Sequence, residues 1–411
     1  MTYSNILLYG AEAAPRPPLS IKERVRFAAR RKVHGFLDAT RCRQGDLSGL
    51  DYRNYEGRDA INQGDVAIAQ ATQALVRQSL PAAEIHGINW GELGQQAVRN
   101  EDRQQTALIF SGSGYFFMNS DGRLAARIKD DVNWLLDQQI PAFFFGVGLN
   151  RPGQTGLDAP VSLHPADAAV VSQLLDYAQA ISVRDAATQA ALAALTTKPV
   201  HLISDPALHF CHAMAIAPPS AGIRTAHTPP VIGVNVSFHG ENSTALIKKN
   251  LMSYAAVLRR LQEKTGATFR YFAHYETENI LPRLFAQFGV NIQKVPVGTH
   301  RAGAGDTATL AREYAKLDLH IGGMLHSCIL ATSAGTPCLA LAYDIKHQGF
   351  FDLMGLPQNC LSAADFDPEA LFTRALDLLA NPAPVRNHIA ARRKVLETET
   401  RNFLAQQLKA S

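Results

Sequence analysis

Short apolar runs alternate with longer segments of helical period along most of the chain. Runs at 5–9, 107–110, 142–147, 180–185 and 200–206 read as strands, and the segments 66–75, 124–138, 166–178 and 187–195 read as helices. Beyond residue 230 the series restarts. Strands are predicted at 231–236, 269–273, 291–295, 319–321 and 338–342, and helices at 244–265, 277–288, 307–316 and 327–334; helices at 366–380 and 384–409 close the chain. The run 338–342 is apolar on every residue, as a parallel strand covered on both faces should be. Between 214 and 230 the sequence is dense in Pro, Ala, Ser and Thr and has no period, which predicts a linker. The whole pattern predicts an α/β fold of two Rossmann-like domains facing a cleft, with boundaries at 1–213 and 231–385 and a closing helix at 386–411.

One region breaks the alternation. From 11 to about 59 no β-α unit continues, and this stretch reads as an insertion in the first domain. Within it Ile21, Val25, Ala28, Ala29, Val33 and Phe36 recur at helical spacing, with Arg24, Arg26, Arg30, Arg31 and Lys32 largely between them. Such a basic amphipathic helix either packs its apolar stripe on the domain or meets an anionic surface, a membrane or a lipid-linked acceptor, through 21–36.

Composition narrows the class. With 46% hydrophobic and 18% charged residues the chain is globular, and no apolar run reaches membrane-spanning length. The N-terminus lacks the basic start and long apolar core of a signal peptide, so a cytoplasmic protein is expected, with the inner membrane face as a peripheral location. Five scattered cysteines without C-x-x-C argue against a disulfide framework and a zinc site. A net charge of +4 over 411 residues does not point to nucleic acid.

The candidate chemistry lies at strand ends. The stretch 318–356 is a β-α-β unit in which Gly322-Gly323 turns the chain, His326 falls at the start of a helix, and Tyr343, Asp344 and Lys346 follow the next strand. Ligands of such units sit beyond the carboxyl ends of the strands, beside helix N-termini that favour anions. Asn62-Gln63-Gly64-Asp65 precedes a helix, where Asp65 can cap the helix or touch ligand. Ser111-Gly112-Ser113-Gly114 is a glycine-rich loop after a strand, and Arg184 ends another strand, placed either to clamp Asp185 or to bind an anion. No H-E-x-x-H or H-x-x-E-H motif occurs, and His209, Cys211 and His212 read as a buried turn, so no metal is expected.

Several of these motifs carry a family resemblance. Leu325-His326-Ser327, Gly335-Thr336-Pro337 and Tyr343-Asp344-Ile345-Lys346, with N-x-G-D at 62–65, Ser182-Val183-Arg184-Asp185 and Asp205-Pro206, resemble the polysaccharide pyruvyl transferase family. The resemblance implies transfer of the enolpyruvyl skeleton of phosphoenolpyruvate to two hydroxyls of a glycan or lipid-linked sugar, as a cyclic ketal, during exopolysaccharide or cell-surface glycan synthesis. It implies no cofactor, since phosphoenolpyruvate is a substrate. It also implies His326 and Arg184 as catalytic residues and Asn62, Gly64, Asp65, Gly112, Gly114, Ser327, Tyr343 and Lys346 as substrate-binding ones. Where the family has an arginine two residues before the histidine, this chain has Met324. Three consequences stay open: a cation such as Arg301 or Lys346 substitutes, the donor differs, or activity is lost. The two-domain pattern also permits a GT-B glycosyltransferase using a nucleotide sugar, or a catalytically silent glycan-binding protein.

Overall fold

The computed structural model describes residues 3–15, 19–57, 60–119, 121–150, 163–217, 228–296 and 306–409. In the first half, strands β1 (Asn5–Gly10), β2 (Glu84–Asn89), β3 (Thr106–Ser111), β4 (Phe116–Phe117), β5 (Ala142–Val147), β6 (Leu149–Asn150), β7 (Ala180–Val183) and β8 (Val200–Leu202) alternate with helices α1 (Ile21–Arg43), α2 (Gln63–Ser79), α3 (Arg127–Gln138), α4 (Pro165–Tyr177), α5 (Ala186–Ala193) and α6 (Phe210–Ala213). Six of these strands form a parallel sheet in the order β2-β1-β3-β5-β7-β8. The second half holds β9 (Val231–Asn235), β10 (Thr268–Tyr271), β11 (Ile292–Lys294), β12 (Leu319–Gly322), β13 (Cys338–Ala342) and β14 (Cys360–Ser362). Its helices are α7 (Glu241–Thr265), α8 (Leu281–Gln287), α9 (Asp306–Tyr314), α10 (Leu325–Ser333), α11 (Ile345–Leu353), α12 (Pro368–Ala380) and α13 (Pro382–Lys409). Here the parallel order is β11-β10-β9-β12-β13-β14.

Burial explains why these segments are strands. Every residue of β3, β5 and β13 is buried, because helices cover both faces of each sheet. On one face of the first sheet Tyr9, Leu108, Phe110 and Phe144 meet α3, α4 and α5; on the other Ile6, Leu8, Ile109 and Phe145 meet α2 and the end of α13. The strand order reverses beside β1 in the first sheet and beside β9 in the second, so each half has a crevice at its carboxyl edge. These two crevices face each other.

Six elements were not foreseen: β2, β4, β6, β14, α6 and α11. Of β2 only its last two residues are buried, as befits an edge strand, so its sequence lacks the apolar run of the central strands. The expected strand at 180–185 stops at Val183, and Asp185 instead caps α5 by accepting from the Thr188 N–H at 2.7 Å. The linker expected at 214–230 falls across 218–227, outside the described residues.

The insertion packs on the second half rather than on the half whose sequence it interrupts. Ala39, Cys42, Leu47, Leu50 and Tyr55 join the core built around β9 to β13, Arg43 donates to Gln287 at 3.2 Å, and Arg31 pairs with the buried Glu276. A capping box of Ser20 and Glu23 starts α1. The C-terminal helix runs the opposite way, from the second half to the first, where Phe403, Leu404 and Leu408 are buried.

Candidate active site

Four strand ends bring the expected residues together. From the second half, α10 begins directly after β12 and the Gly322-Gly323 turn, and its first turn carries His326. The turn is held by Asn235 at the end of β9, whose side chain accepts from the Met324 N–H at 2.8 Å and donates to the buried Glu278 at 2.8 Å. From the first half the start of α2 meets it. A Cβ at Gly64 would lie 2.3 Å from the His326 ring, so only glycine permits this approach. The same turn is fastened across the halves: the Gln63 N–H donates to the His274 carbonyl at 2.9 Å, and Thr307 donates to the Gln63 side chain.

Asp205, after β8, joins His326 to Arg184, after β7. Its Oδ2 accepts from Arg184 at 2.6 Å and lies 3.4 Å from His326 Nε2, while its Oδ1 accepts from the Ala207 N–H at 2.9 Å. Burial alone would raise the Asp205 carboxyl, but Arg184 and His326 outweigh it and hold the group well below the usual carboxylate range. Arg184 therefore clamps Asp205 and not Asp185. Its Nε keeps no hydrogen-bond partner, and neither does His326 Nε2, for which 3.4 Å to Asp205 is an electrostatic contact and too long for a good hydrogen bond. Both atoms are buried donors or acceptors left for something else to meet. Flat contact of the Arg184 guanidinium with the chain is possible because residue 148 is glycine, where a Cβ would lie 2.6 Å from Nε.

Lys346 completes the cationic side. Its ammonium donates to Asn150 of the first half at 3.2 Å and lies 3.7 Å from Asp344, which caps α11. Burial works against the charge, yet Tyr343 and Asp344 keep this amine above its ordinary value. Tyr343 directs its hydroxyl to the Met324 sulfur at 3.8 Å. Of the other expected residues, Asn62 caps α2 by accepting from the Gly64 N–H at 2.9 Å, and Asp65 accepts from the Ser113 hydroxyl at 2.7 Å. Gly112 and Gly114 make room for Pro206 with Ile68, and for Asn150, respectively. Ser327 turns away from the cleft: fully buried, it donates to the Met324 carbonyl at 2.8 Å and meets His320 at 3.1 Å. Arg301 lies outside the described residues.

Beside this cluster opens a cleft of about 1060 Å³. Asn62 and Asp65 line it, whereas His326, Arg184 and Lys346 do not. Its other walls were not foreseen: carboxylates of Glu12 and Glu56, aromatic rings of Phe27, Trp90 and Tyr275, and Arg26 and Arg30 from α1. Carboxylates and aromatic faces together suit a ligand rich in hydroxyls and C–H faces. Among the described residues no group of three or more His, Cys, Asp and Glu is placed to hold a metal ion, and no helix is long and apolar enough to cross a membrane.

Comparison with known proteins agrees with this architecture. A candidate UDP-N-acetylglucosamine 2-epimerase from Listeria monocytogenes superposes with a TM-score of 0.53 at 9% identity, covering 95% of this chain and 91% of its own. The likeness shows the GT-B-like arrangement of two Rossmann-like domains. A trehalose-phosphate synthase from Burkholderia vietnamiensis (TM-score 0.46, 11% identity, 99% and 100% coverage) and HepE from Anabaena in complex with UDP and glucose (TM-score 0.45, 10% identity, 98% and 97%) also match. No curated protein sequence matches the chain. The profile of the polysaccharide pyruvyl transferase family matches residues 62–345, from the cap of α2 to the first residue of α11, which covers nearly all the strand ends described above, and the chain belongs to that family.

Proposed function

We propose that this protein transfers pyruvate from phosphoenolpyruvate to two hydroxyls of one sugar, as a cyclic ketal, on a glycan or lipid-linked sugar acceptor assembled at the cytoplasmic face of a membrane. The observation that carries the reading is the meeting of His326, Arg184 and Lys346 from three strand ends against the start of α2, with buried atoms on two of them unpartnered. The donor carries a phosphate and a carboxylate, and Arg184 with Lys346 supplies fixed cations for them. No arginine is needed at position 324 for this count.

The chemistry follows in order. His326 delivers a proton to the methylene carbon of the donor, and positive character develops at C2. A sugar hydroxyl in the adjoining cleft bonds to C2 and gives up its proton, for which Asp65, at the cleft wall and beside the α2 start, is the acceptor in reach. The C2–O bond to phosphate then breaks, phosphate departs with the proton held by Asp65, and the second hydroxyl closes the ketal, giving its proton back to His326. Asp205 serves by position: ionised and fixed by Arg184, it orients the His326 ring and offers a counter-charge to its protonated form.

The test is mass spectrometry of candidate glycans incubated with phosphoenolpyruvate, together with free phosphate. Each turnover should add one ketal and release one phosphate. His326→Ala should abolish turnover with little loss of donor binding, because a general acid acts chiefly in the transition state. A parent protein whose melting temperature rises with nucleotide sugars and not with phosphoenolpyruvate would overturn the proposal.

A further inference from the structure

The apolar stripe of α1 faces solvent. Among the described residues eight large hydrophobic side chains are exposed, and five belong to this one helix: Ile21 (72%), Val25 (63%), Val33 (57%), Phe36 (62%) and Leu37 (43%). The other three lie singly on α3, α7 and α13. What α1 buries, Gly35, Asp38, Ala39 and Cys42, lies near its C-terminal end. At 100° per residue Ile21, Val25, Ala29, Lys32 and Phe36 fall within about 80° of arc, with Lys22 beside them. All six are exposed, and none of the helix's carboxylates shares that arc, since Glu23 closes the capping box and Asp38 is buried against Tyr55.

We propose that this outer face of α1 docks on an anionic phospholipid bilayer. Isolated apolar side chains on a surface need no explanation, but an apolar stripe with one lysine in it, another beside it and no carboxylate is complementary to a negatively charged interface. A further feature gives the docking a use, and this part rests on the transferase reading. Glu23, Arg26, Phe27 and Arg30 lie on another side of the same helix and wall the large cleft. One helix thus separates the bilayer from the acceptor cleft, so docking brings the cleft beside the surface that holds a lipid-linked sugar.

The experiment is co-sedimentation of the full chain with vesicles of phosphatidylcholine alone and with 30 mol % phosphatidylglycerol, at low and high salt, read without donor or acceptor. Binding should require the anionic lipid and weaken with salt. Lys22→Gln with Lys32→Gln should lower the partition coefficient roughly 25-fold, at roughly fivefold per cation. Val25→Glu with Phe36→Glu should abolish binding while leaving the melting temperature unchanged, since both positions are exposed. Absence of sedimentation at low salt, equal sedimentation of the glutamate variant, or a parental dimer that the glutamate variant splits into monomers would each overturn the proposal, the last by assigning the stripe to a second copy of the chain. Failure of ketal formation with vesicle binding intact would count against the transferase reading alone.

Discussion

Gly64→Ala tests whether the contact between the halves positions the chemistry. An added Cβ would lie 2.3 Å from Cγ and Nδ1 of His326 and 2.4 Å from its Cβ. The last distance matters most, because rotation about χ1 moves the ring but leaves Cβ where α10 holds it. To regain an ordinary 3.4 Å contact the starts of α2 and α10 must part by about 1 Å. The helix itself favours the change, since alanine stabilises a helix by about 0.5–1 kcal/mol over glycine. Against this stand an overpacking penalty of about 1–3 kcal/mol and strain on the Gln63 bonds to His274 and Thr307. The net loss of stability should be about 1–2 kcal/mol, a fall of a few degrees in Tm. Turnover should fall far more, about 100-fold, because a general acid displaced by about 1 Å leaves its line of transfer. Phosphate release and ketal mass, measured alongside thermal unfolding, read the two effects separately. Gly94→Ala is the control, since nothing lies within 4 Å of its added Cβ, and both quantities should stay at the parental level. A Gly64→Ala protein with parental turnover and parental Tm would refute the placement of His326 against α2.

Gly148→Ala should push the Arg184 guanidinium off its seat and raise the donor KM roughly tenfold with kcat little changed; it is a cleaner probe than Arg184→Ala, which strands the buried Asp205 at about 3–5 kcal/mol. An unaltered KM would remove Arg184 from donor binding. Met324→Arg should tighten donor binding if position 324 faces the phosphate as the family arginine does, and isothermal titration showing no change would assign that position to its contact with Tyr343. Acid should destabilise the fold, because burial pushes His209 and His320 down to about 3 and His347 to about 4, and holds His274 well below its ordinary value. Each takes up a proton on unfolding below about pH 6.5, while burial raises Glu278 to about 8 and Asp131 to about 6, so these two release protons on unfolding. The four histidines outnumber these two carboxyls, so over this set unfolding takes up more protons than it releases between about pH 4.5 and 6, and stability falls as the pH is lowered; a urea midpoint that stays flat across this window would contradict the buried, neutral state of the histidines.

How much could be read beforehand depended on what each residue touches. β3, β5 and β13 were legible because complete burial leaves them no polar position. β2 was not, since Glu84 to Gly87 turn toward solvent at an edge. His326, Arg184 and Lys346 lie far apart in sequence, yet each follows the carboxyl end of a parallel strand, and that shared place is enough to predict that they gather. Asp205 had a visible motif but no visible partner, because its bonds to Arg184 and His326 depend on which strands are neighbours. Glu12, Glu56, Trp90 and Tyr275 lie in or beside loops without period, and only the apposition of the halves makes a wall of them. For α1 the period was legible and the direction was not. A stripe of apolar residues says that something covers it; here only the last turns of the helix, with Ala39 and Cys42, reach the core, and the stripe over the earlier turns stays exposed.

The path of the chain ties the cleft to the catalytic cluster. After β1 the chain leaves the first half, buries Ala39, Cys42, Leu47, Leu50 and Tyr55 in the second, and returns to start α2 at the boundary. Ala67, Ile68 and Ala71 of α2, with Ala207, Leu208 and Phe210, join that same core, so the two halves share apolar contact at their boundary and α1 is fixed to the second half beside it. Arg26 and Arg30 face the same cleft as Glu12 and Trp90 of the first half, and the width of the cleft follows how the two halves pack. That same packing sets the distance from Gly64 to His326. Under the proposed reaction, one packing of the two halves sets both the cleft and the place of His326, and a residue that holds the halves apart by about 1 Å should act on binding and on proton transfer together.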